Sequence, residues 1–442
     1  MADHQAAVSD LIAGWETATD AEFHAALEAA HLCDGLPVVR PTQAALAAFL
    51  AAGATHGEGR VGTVLDQDAS AEAVALCAIL AGCMQAHIPV LHACVRALAD
   101  PALNARGVLT TTGSAAFAVI INGPLRRTLG FNAGGNCLGP GVRSNATVGR
   151  ALSLITRFIG GAIPGVTDMS TMGQPGKYTF CFAENEEQSP WEPLHVERGF
   201  AAGTSTVTLI GVSGTVEVVD VHAGSAAEIL GVMAETMAAP SALWLGDEGM
   251  VGGGQPLLLI SPEWGQLFMA ENLHKHDIKR RLYERATCAL DRLPSRYVQE
   301  LVRGRRARLE PLRTPLRVAL KAEDILIVVA GGVGVKQTFV PNWNGSSRAV
   351  TVVVKTPYSG VQLPAACRSC QSALMPAAFT TRAQRAISDS ICAIACCGVP
   401  PTMTAPSAER RSRTSGSCDT LVISALSLLT ILTGVLAGPN TT

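Results

Sequence analysis

With 442 residues the chain is long enough for two or three domains, and at 48% hydrophobic and 16% charged it can bury a large core. A net charge of −2 provides no global pull toward nucleic acid or acidic membranes. Aromatics at 5% and 43 glycines suit a Gly-turned, Ala/Val/Leu-packed α/β protein better than an all-β one.

The opening Met1-Ala2-Asp3-His4-Gln5 has no basic n-region and no apolar h-region after it. A cytoplasmic start is therefore expected, with the thirteen cysteines as reduced thiols. Residues 1–32 read as two short amphipathic helices, the second capped by Asp20. Pro37 and Pro41 keep the next stretch extended, and Thr42 caps a helix from Gln43 to Ala52. Residues 70–99 read as a long helical stretch interrupted at Pro89 and apolar nearly all round, which argues for burial on both faces. His87 and His92 on it are expected to be satisfied core or interface histidines.

A strand at Ala118–Ile121 then runs into the turn Asn122-Gly123-Pro124. A helix is expected from Asn145 or Ala146 to Ile159, and Gly160-Gly161 ends it. Lys177–Ala183 reads as a strand, and residues 204–221 as two strands about a turn at Ser213-Gly214, a hairpin or an adjacent pair. Helix 224–238, strand Leu257–Ile260 and turn Ser261-Pro262-Glu263 repeat the earlier order of helix, loop, strand and turn. A third strand, Asp324–Ala330, ends in Gly331-Gly332-Val333-Gly334. Short apolar strands separated by helices point to an α/β fold with a mixed or parallel sheet flanked by helices, and the recurring order suggests an internal duplication. The expected organisation is N-terminal helices over 1–32, α/β units over 33–200 and 201–357, and an irregular Cys-rich tail over 358–442. Ligands of such sheets collect at the carboxyl ends of the strands.

Residues 270–317 are basic and helical, with Lys and Arg residues from Lys279 to Arg317 outnumbering the acidic ones. Only Tyr283 and Tyr297 are there to stack on bases, so a solvated face or an anion-binding rim is expected and no nucleic acid. The tail holds Cys367-Arg368-Ser369-Cys370 and the apolar run Leu421–Leu436, which is short for a membrane span of roughly 20 residues. It reads as a disordered appendage, a stretch foreign to the fold or, third, a C-terminal membrane anchor.

Two constellations carry chemistry. The first is the loop after Ala183, where Glu184, Glu186, Glu187, Glu192, His195 and Glu197 crowd together around Pro190-Trp191. Carboxylates with one imidazole on a stiff loop can split a general acid from a general base, or ligate a divalent metal. Glu184, Glu187 and His195 are the candidates for either role, against an exposed acidic loop as the plain alternative. The second is the Gly/Asn loop, in which Asn132, Asn136 and Asn145 with Gly134, Gly135, Gly139 and Gly141 can offer donors to a carboxylate or oxyanion. Arg143 and Arg150 can pair with an anionic substrate, and a helix follows at about Ala146. Against this stands a set of plain tight turns. Gly331-Gly332-Val333-Gly334 lacks the helix that a dinucleotide loop needs, which leaves Lys336 as a cation for an anionic ligand.

The segments Asp34-Gly-Leu-Pro-Val-Val, Asn122-Gly-Pro, Asn132–Arg150, Ala183-Glu-Asn-Glu-Glu, Trp191-Glu-Pro-Leu-His195-Val-Glu-Arg198 and Ile327-Val-Val-Ala-Gly-Gly together resemble a bacterial family related to the UGSC-motif proteins, a selenoprotein-like group. The resemblance covers roughly residues 30–355. It implies a fold and a pocket, and no settled activity comes with it. The nearest strings to a C-G-S-C motif, Cys367-Arg-Ser-Cys370 and Ser415-Gly-Ser-Cys418, lie in the tail.

The expected function is that of a hydrolase or lyase acting on a small anionic or carbonyl-bearing molecule. Glu184, Glu187 and His195 would act as acid/base groups or as ligands of a divalent metal, and Asn132, Asn136, Arg143, Asn145 and Lys336 would hold the substrate. The alternatives are a thiol-redox protein using Cys367 and Cys370, and a small-ligand-binding protein without turnover. A homo-oligomer is compatible with any of them.

Overall fold

The computed structural model describes residues 8–53, 59–238, 254–307 and 314–355, all within one of the two units into which contacts divide the chain. Helices α1 (Val8–Thr17) and α2 (Asp20–Ala29) come first. Thr19, not Asp20, caps α2: its hydroxyl accepts from Glu22 N while the Glu22 carboxylate takes the Thr19 N–H. Helix α3 (Gln43–Gly53) starts at Thr42, whose hydroxyl accepts from Ala45 N at 3.1 Å. A hairpin of β1 (Arg60–Val64) and β2 (Gln67–Ser70) leads into α4 (Ala71–Ala81) and α5 (Ile88–Leu98). These two helices are the long apolar stretch, and the break does not fall at Pro89. Helix α4 ends at Gly82, whose φ of +82° suits a residue without a Cβ, whereas Pro89 sits in the first turn of α5, where its missing N–H has no partner to lose.

The chain continues through α6 (Ala105–Thr110), β3 (Ala116–Asn122), the single turn α7 (Leu125–Thr128), α8 (Arg143–Phe158), β4 (Cys181–Ala183) and the single turn α9 (Leu194–Glu197). Next come β5 (Thr206–Val212), β6 (Val216–Val219), α10 (Ala226–Met237), β7 (Leu257–Ile260), α11 (Pro262–Ala270) and α12 (Lys275–Arg285). The last described elements are β8 (Thr287–Cys288), α13 (Ser295–Ala307), β9 (Leu316–Arg317), β10 (Leu326–Val329), β11 (Lys336–Val340) and β12 (Val350–Val353).

Two four-stranded mixed sheets form the centre, in the orders β12-β5-β3-β4 and β10-β7-β11-β6. Each has one parallel pair, β3 with β4 and β7 with β10, extended by two antiparallel strands. Alternation along the strands builds the layers. In β3, Phe117, Val119 and Ile121 face α4, α5 and α8, while Ala116, Ala118 and Ile120 face the other sheet. In β10, Ile327 faces the cluster around α10 and α12, while Leu326 and Val328 join Ala118 and Ile120 in the seam between the sheets. The order of layers is helices, sheet, sheet, helices. Buried apolar side chains on both faces of both sheets, each worth about 1.5–3 kcal/mol, hold them together.

Helix α8 shows why its sequence folds there. Val148, Ala151, Leu152 and Ile155 recur at helical spacing and are buried as one stripe over the first sheet.

The two sheets share a plan. Matching strands in chain order are β3 with β7, β4 with β10, β5 with β11 and β6 with β12. The carboxyl ends carry the same hydrogen bond: Glu184 N donates to Ile121 O at 3.2 Å, and Ala330 N to Ile260 O at 3.0 Å. The fourth strand of each half is exchanged, since β6 pairs with β11 and β12 with β5. Strands β5 and β6 are therefore neither a hairpin nor neighbours. At the exchange, Ser213 N donates to Pro341 O at 2.8 Å and Trp343 N to Gly211 O at 2.9 Å, so each half is hydrogen-bonded to the other's outgoing chain.

No helix among the described residues is long and apolar enough to cross a membrane. Leu421–Leu436, Cys367 and Cys370 lie outside the described residues.

Candidate functional site

The carboxyl ends of the four parallel strands meet at one rim. Asn185 N donates to Val329 O at 2.8 Å and Gly331 N to Ala133 O at 2.9 Å, which ties the two halves together there. Strand parity decides what points inward. Continuing the inner face of β3 and β4 by one step places Asn122 and Glu184 between the sheets, just beyond Ile120 and Phe182. Both side chains are fully buried.

A polar chain begins at these two residues. Glu184 Oε2 accepts from Asn122 Nδ2 at 2.6 Å and from Leu194 N at 2.7 Å. Asn122 Nδ2 also donates to Glu186 Oε1 at 3.0 Å, and Gly123 N donates to the same oxygen at 2.7 Å. Gly123 is required here, because φ is +81° and a Cβ would lie 2.3 Å from Thr204 O. His195 Nδ1 stands 4.0 Å from Glu186 Oε1, and its ring is fully buried. His195 Nε2 lies 3.3 Å from Ala202 O, an acceptor, which places a proton on Nε2; in the neutral ring Nδ1 is then the lone-pair nitrogen. Three atoms of this chain are buried without a hydrogen-bond partner: Asn122 Oδ1, Glu184 Oε1 and His195 Nδ1.

Burial pushes the Glu184 carboxyl above the usual range, and the nearby Lys275 ammonium and the two hydrogen bonds offset only part of that. Since Oε2 already accepts two hydrogen bonds, a proton on this carboxyl belongs on Oε1. Glu187 goes the other way. Burial raises it, but the hydrogen bond from Arg126 at 2.5 Å and the charges of Arg126 and Arg127 outweigh that and hold it low.

Helix α12 closes the rim from the second half. Lys275 and Lys279, four residues apart on one helical face, are both buried. Lys275 Nζ lies 3.9 Å from Glu184 Oε1 and 3.3 Å from Glu197 Oε2, and Lys279 pairs with the other Glu197 oxygen. Burial raises Glu197, but these two ammonium groups outweigh it and hold the carboxyl low. The solvated face expected for this basic region thus fails at 275 and 279, where carboxylates of the first half replace water.

Trp191 anchors the acidic loop. Its ring packs beside Phe268 in the core of the second half, with a centroid separation of 6.3 Å, and its indole N–H donates to Leu273 O at 3.2 Å. The stiff loop expected from the sequence is thus anchored by Trp191 in the helix-covered core of the second half.

Glu184 and His195 share the rim, but Glu187 turns outward to Arg126 and Arg127. No group of three or more His, Cys, Asp or Glu among the described residues is arranged to hold a metal ion, and of the expected metal set Glu184, Glu187 and His195 it is Glu187 that faces away, toward the two arginines. The Gly/Asn loop lies beside the rim, with Asn132 O accepting from Ala183 N at 3.2 Å, yet its side chains are spent on its own shape. Asn132 Oδ1 accepts from Gly134 N, and Asn136 Nδ2 donates to Pro140 O. Asn145 bridges Asn132 N, Asn132 O and Cys137 O. Arg143 donates to the carbonyls of Gly82 and Cys83 at the end of α4, and Arg150 grips Asp34. Lys336 pairs with Glu217 on the neighbouring strand β6 at 3.4 Å. Gly332 is a contact point: a Cβ there would meet Gly135 Cα at 2.8 Å.

The candidate residues missed in the sequence are Asn122, Lys275 and Lys279. An Asn at the end of an otherwise apolar strand, and two lysines at i and i+4, were the available signals. Compared with protein-family models, with curated proteins and with solved structures, the chain finds no match, so geometry alone bears on what this rim does.

Proposed function

We propose that the chain is an acid–base enzyme of the hydrolase or lyase type, acting on a small anionic or carbonyl-bearing molecule at the rim between the two sheets. Glu184 is the acid, carrying its proton on Oε1, and His195 is the base, accepting at Nδ1. Asn122 positions the Glu184 carboxyl, and Lys275 supplies positive charge for an anion or a developing oxyanion. The supporting observation is the trio of buried, unpartnered polar atoms, Asn122 Oδ1, Glu184 Oε1 and His195 Nδ1, within one hydrogen-bonded neighbourhood. Buried polar atoms are normally satisfied, and each exception calls for an explanation. A carboxyl raised by burial and an imidazole in the same polar neighbourhood are the two kinds of group that acid–base catalysis needs.

A second reading is favoured by the complete burial of Glu184 and His195 and by the lysines that reach them from α12. In it the network is a clasp joining the two halves, with no turnover. The two separate in one experiment. Wild type, Glu184→Gln and His195→Asn are assayed on a panel of small esters, lactones and hydroxy acids, with urea unfolding in parallel. The enzyme reading expects turnover to fall by about 10²–10⁴ in each variant, with stability nearly unchanged. Absence of turnover in the wild type, with lost stability in both variants, identifies the clasp.

A further inference from the structure

Strand β3 has a cavity at its other end. Asn122 closes its carboxyl end, whereas Ala115, Ala116 and Phe117 at its start line an opening of about 560 Å³ between α8 and the segment 160–178. Preformed small-molecule pockets run to about 300–1,000 Å³ and pair an apolar body with a few polar groups. This one has that make-up. Leu109, Phe117 and Leu152 form its apolar wall.

Its charges cancel in pairs, with one left over. Asp34 is bound by Arg150 at 2.7 Å, and Asp168 by Lys177 at 2.5 Å. Arg157 also lines the cavity; its Nε donates to His31 O at 3.0 Å, and its two terminal nitrogens have no hydrogen bond or ion pair to a described residue. A guanidinium with two free donors on a largely apolar wall fits a carboxylate bidentately.

The segment over the cavity is shaped and fixed. Gly161, Gly165 and Gly173 turn it with φ of +65°, +76° and +72°. Ser170 Oγ donates to Gly113 O at 2.9 Å, and Thr171 N to Thr112 O at 2.9 Å. The same segment exposes Val166, Met169, Met172 and Tyr178, with Met172 89% exposed. Of these, Met172 and Tyr178 also line the cavity, so its apolar surface continues out to solvent.

We propose that this cavity binds a small amphipathic anion, an aromatic or branched aliphatic carboxylate, with its apolar body against Phe117 and Leu152 and its carboxylate on Arg157. Met172 and Tyr178 flank the entrance. The site stands apart from Glu184 and His195, so its test is independent of the rim chemistry.

The full chain is titrated with the fluorescent dye anilinonaphthalene sulfonate, with naphthoate as competitor and the uncharged dye phenylnaphthylamine as control. Saturable one-to-one binding, displaced by naphthoate, is expected. Arg157→Gln weakens the anionic dye by about tenfold or more and leaves the uncharged dye within about twofold. Met172→Glu, on a side chain that the core does not use, weakens the anionic dye by about threefold or more through like-charge repulsion. Unchanged affinity of the anionic dye in Arg157→Gln, equal loss for both dyes, or binding that does not saturate overturns the proposal.

Discussion

The two halves of the core end their second parallel strands in opposite chemistry. Strand β4 runs into Glu184-Asn185-Glu186-Glu187, and β10, its counterpart, into Ala330-Gly331-Gly332-Val333. The first residue beyond each strand makes the same backbone hydrogen bond to the neighbouring strand and faces the same seam. Ala330 is buried in the seam cluster, one strand step beyond Val328 on the same face. Glu184 sits in the same kind of place and brings with it Asn122, the Leu194 N–H and Lys275. The comparison shows what the plan needs at this point, a small apolar residue, and what has been added in one half only. A carboxyl in such a seam is costly unless it is neutral or paired; burial raises Glu184, and the ammonium group of Lys275 at 3.9 Å offsets part of that. The glycines of the other half admit the Gly135 turn at backbone contact, so one half carries the side chains and the other makes room for the loop beside them.

Three changes test this division. The largest effect is expected from Glu197→Ala, which leaves Lys275 and Lys279 buried with their shared carboxylate gone. Breaking one side of a buried ion pair costs about 3–5 kcal/mol, and urea unfolding checks it. A loss within the range of a surface pair would mean that α12 is not clasped to the first half. Next is Gly332→Ala, which gives the second half a Cβ where it has none. With Gly135 backbone at 2.8 Å there is no flexible side chain to give way, and a loss of about 1–3 kcal/mol is expected in the same measurement.

The smallest effect is in a slope. The Glu184 carboxyl is raised in the folded state, so it stabilises the fold least when ionised. Its contribution is complete below the unfolded carboxyl value and is lost as pH rises through the folded value. Glu187 and Glu197 are lowered, so their contributions are present above the unfolded value and are lost as pH falls through their folded values. Above the unfolded carboxyl value wild-type stability therefore carries a downward component from Glu184 alone among the three, and Glu184→Gln should flatten it. An unchanged profile would place the carboxyl in an ordinary environment and make the two halves alike at that position.

Much of the plan was legible in the residues. The short apolar strands, the α/β class, the repeated helix-loop-strand-turn unit and the placement of Glu184 at a strand end all follow from local pattern, because periodicity and turn chemistry are properties of neighbouring residues. Thr42 was legible as a cap, and Thr19 in place of Asp20 is a choice between two adjacent good caps, whereas α8 begins at Arg143, before the expected Asn145 or Ala146.

Pairing was not legible. That β6 leaves β5 for the opposite sheet depends on Pro341 and Trp343, more than a hundred positions away, and no local signal marks it. The same holds for the lysines of α12. Their spacing gives one helical face, but only the carboxylates of a distant loop make that face an interior one. The Gly/Asn loop misled for a related reason. Its amides looked like donors waiting for a ligand, and the fold brought backbone carbonyls close enough to use them first. Residue chemistry and spacing decided which groups are present and which face of each element they occupy. Whether a group meets water, a partner or nothing at all was decided by segments far apart in the chain, because the free energy of a buried charge depends on what surrounds it and not on what precedes it.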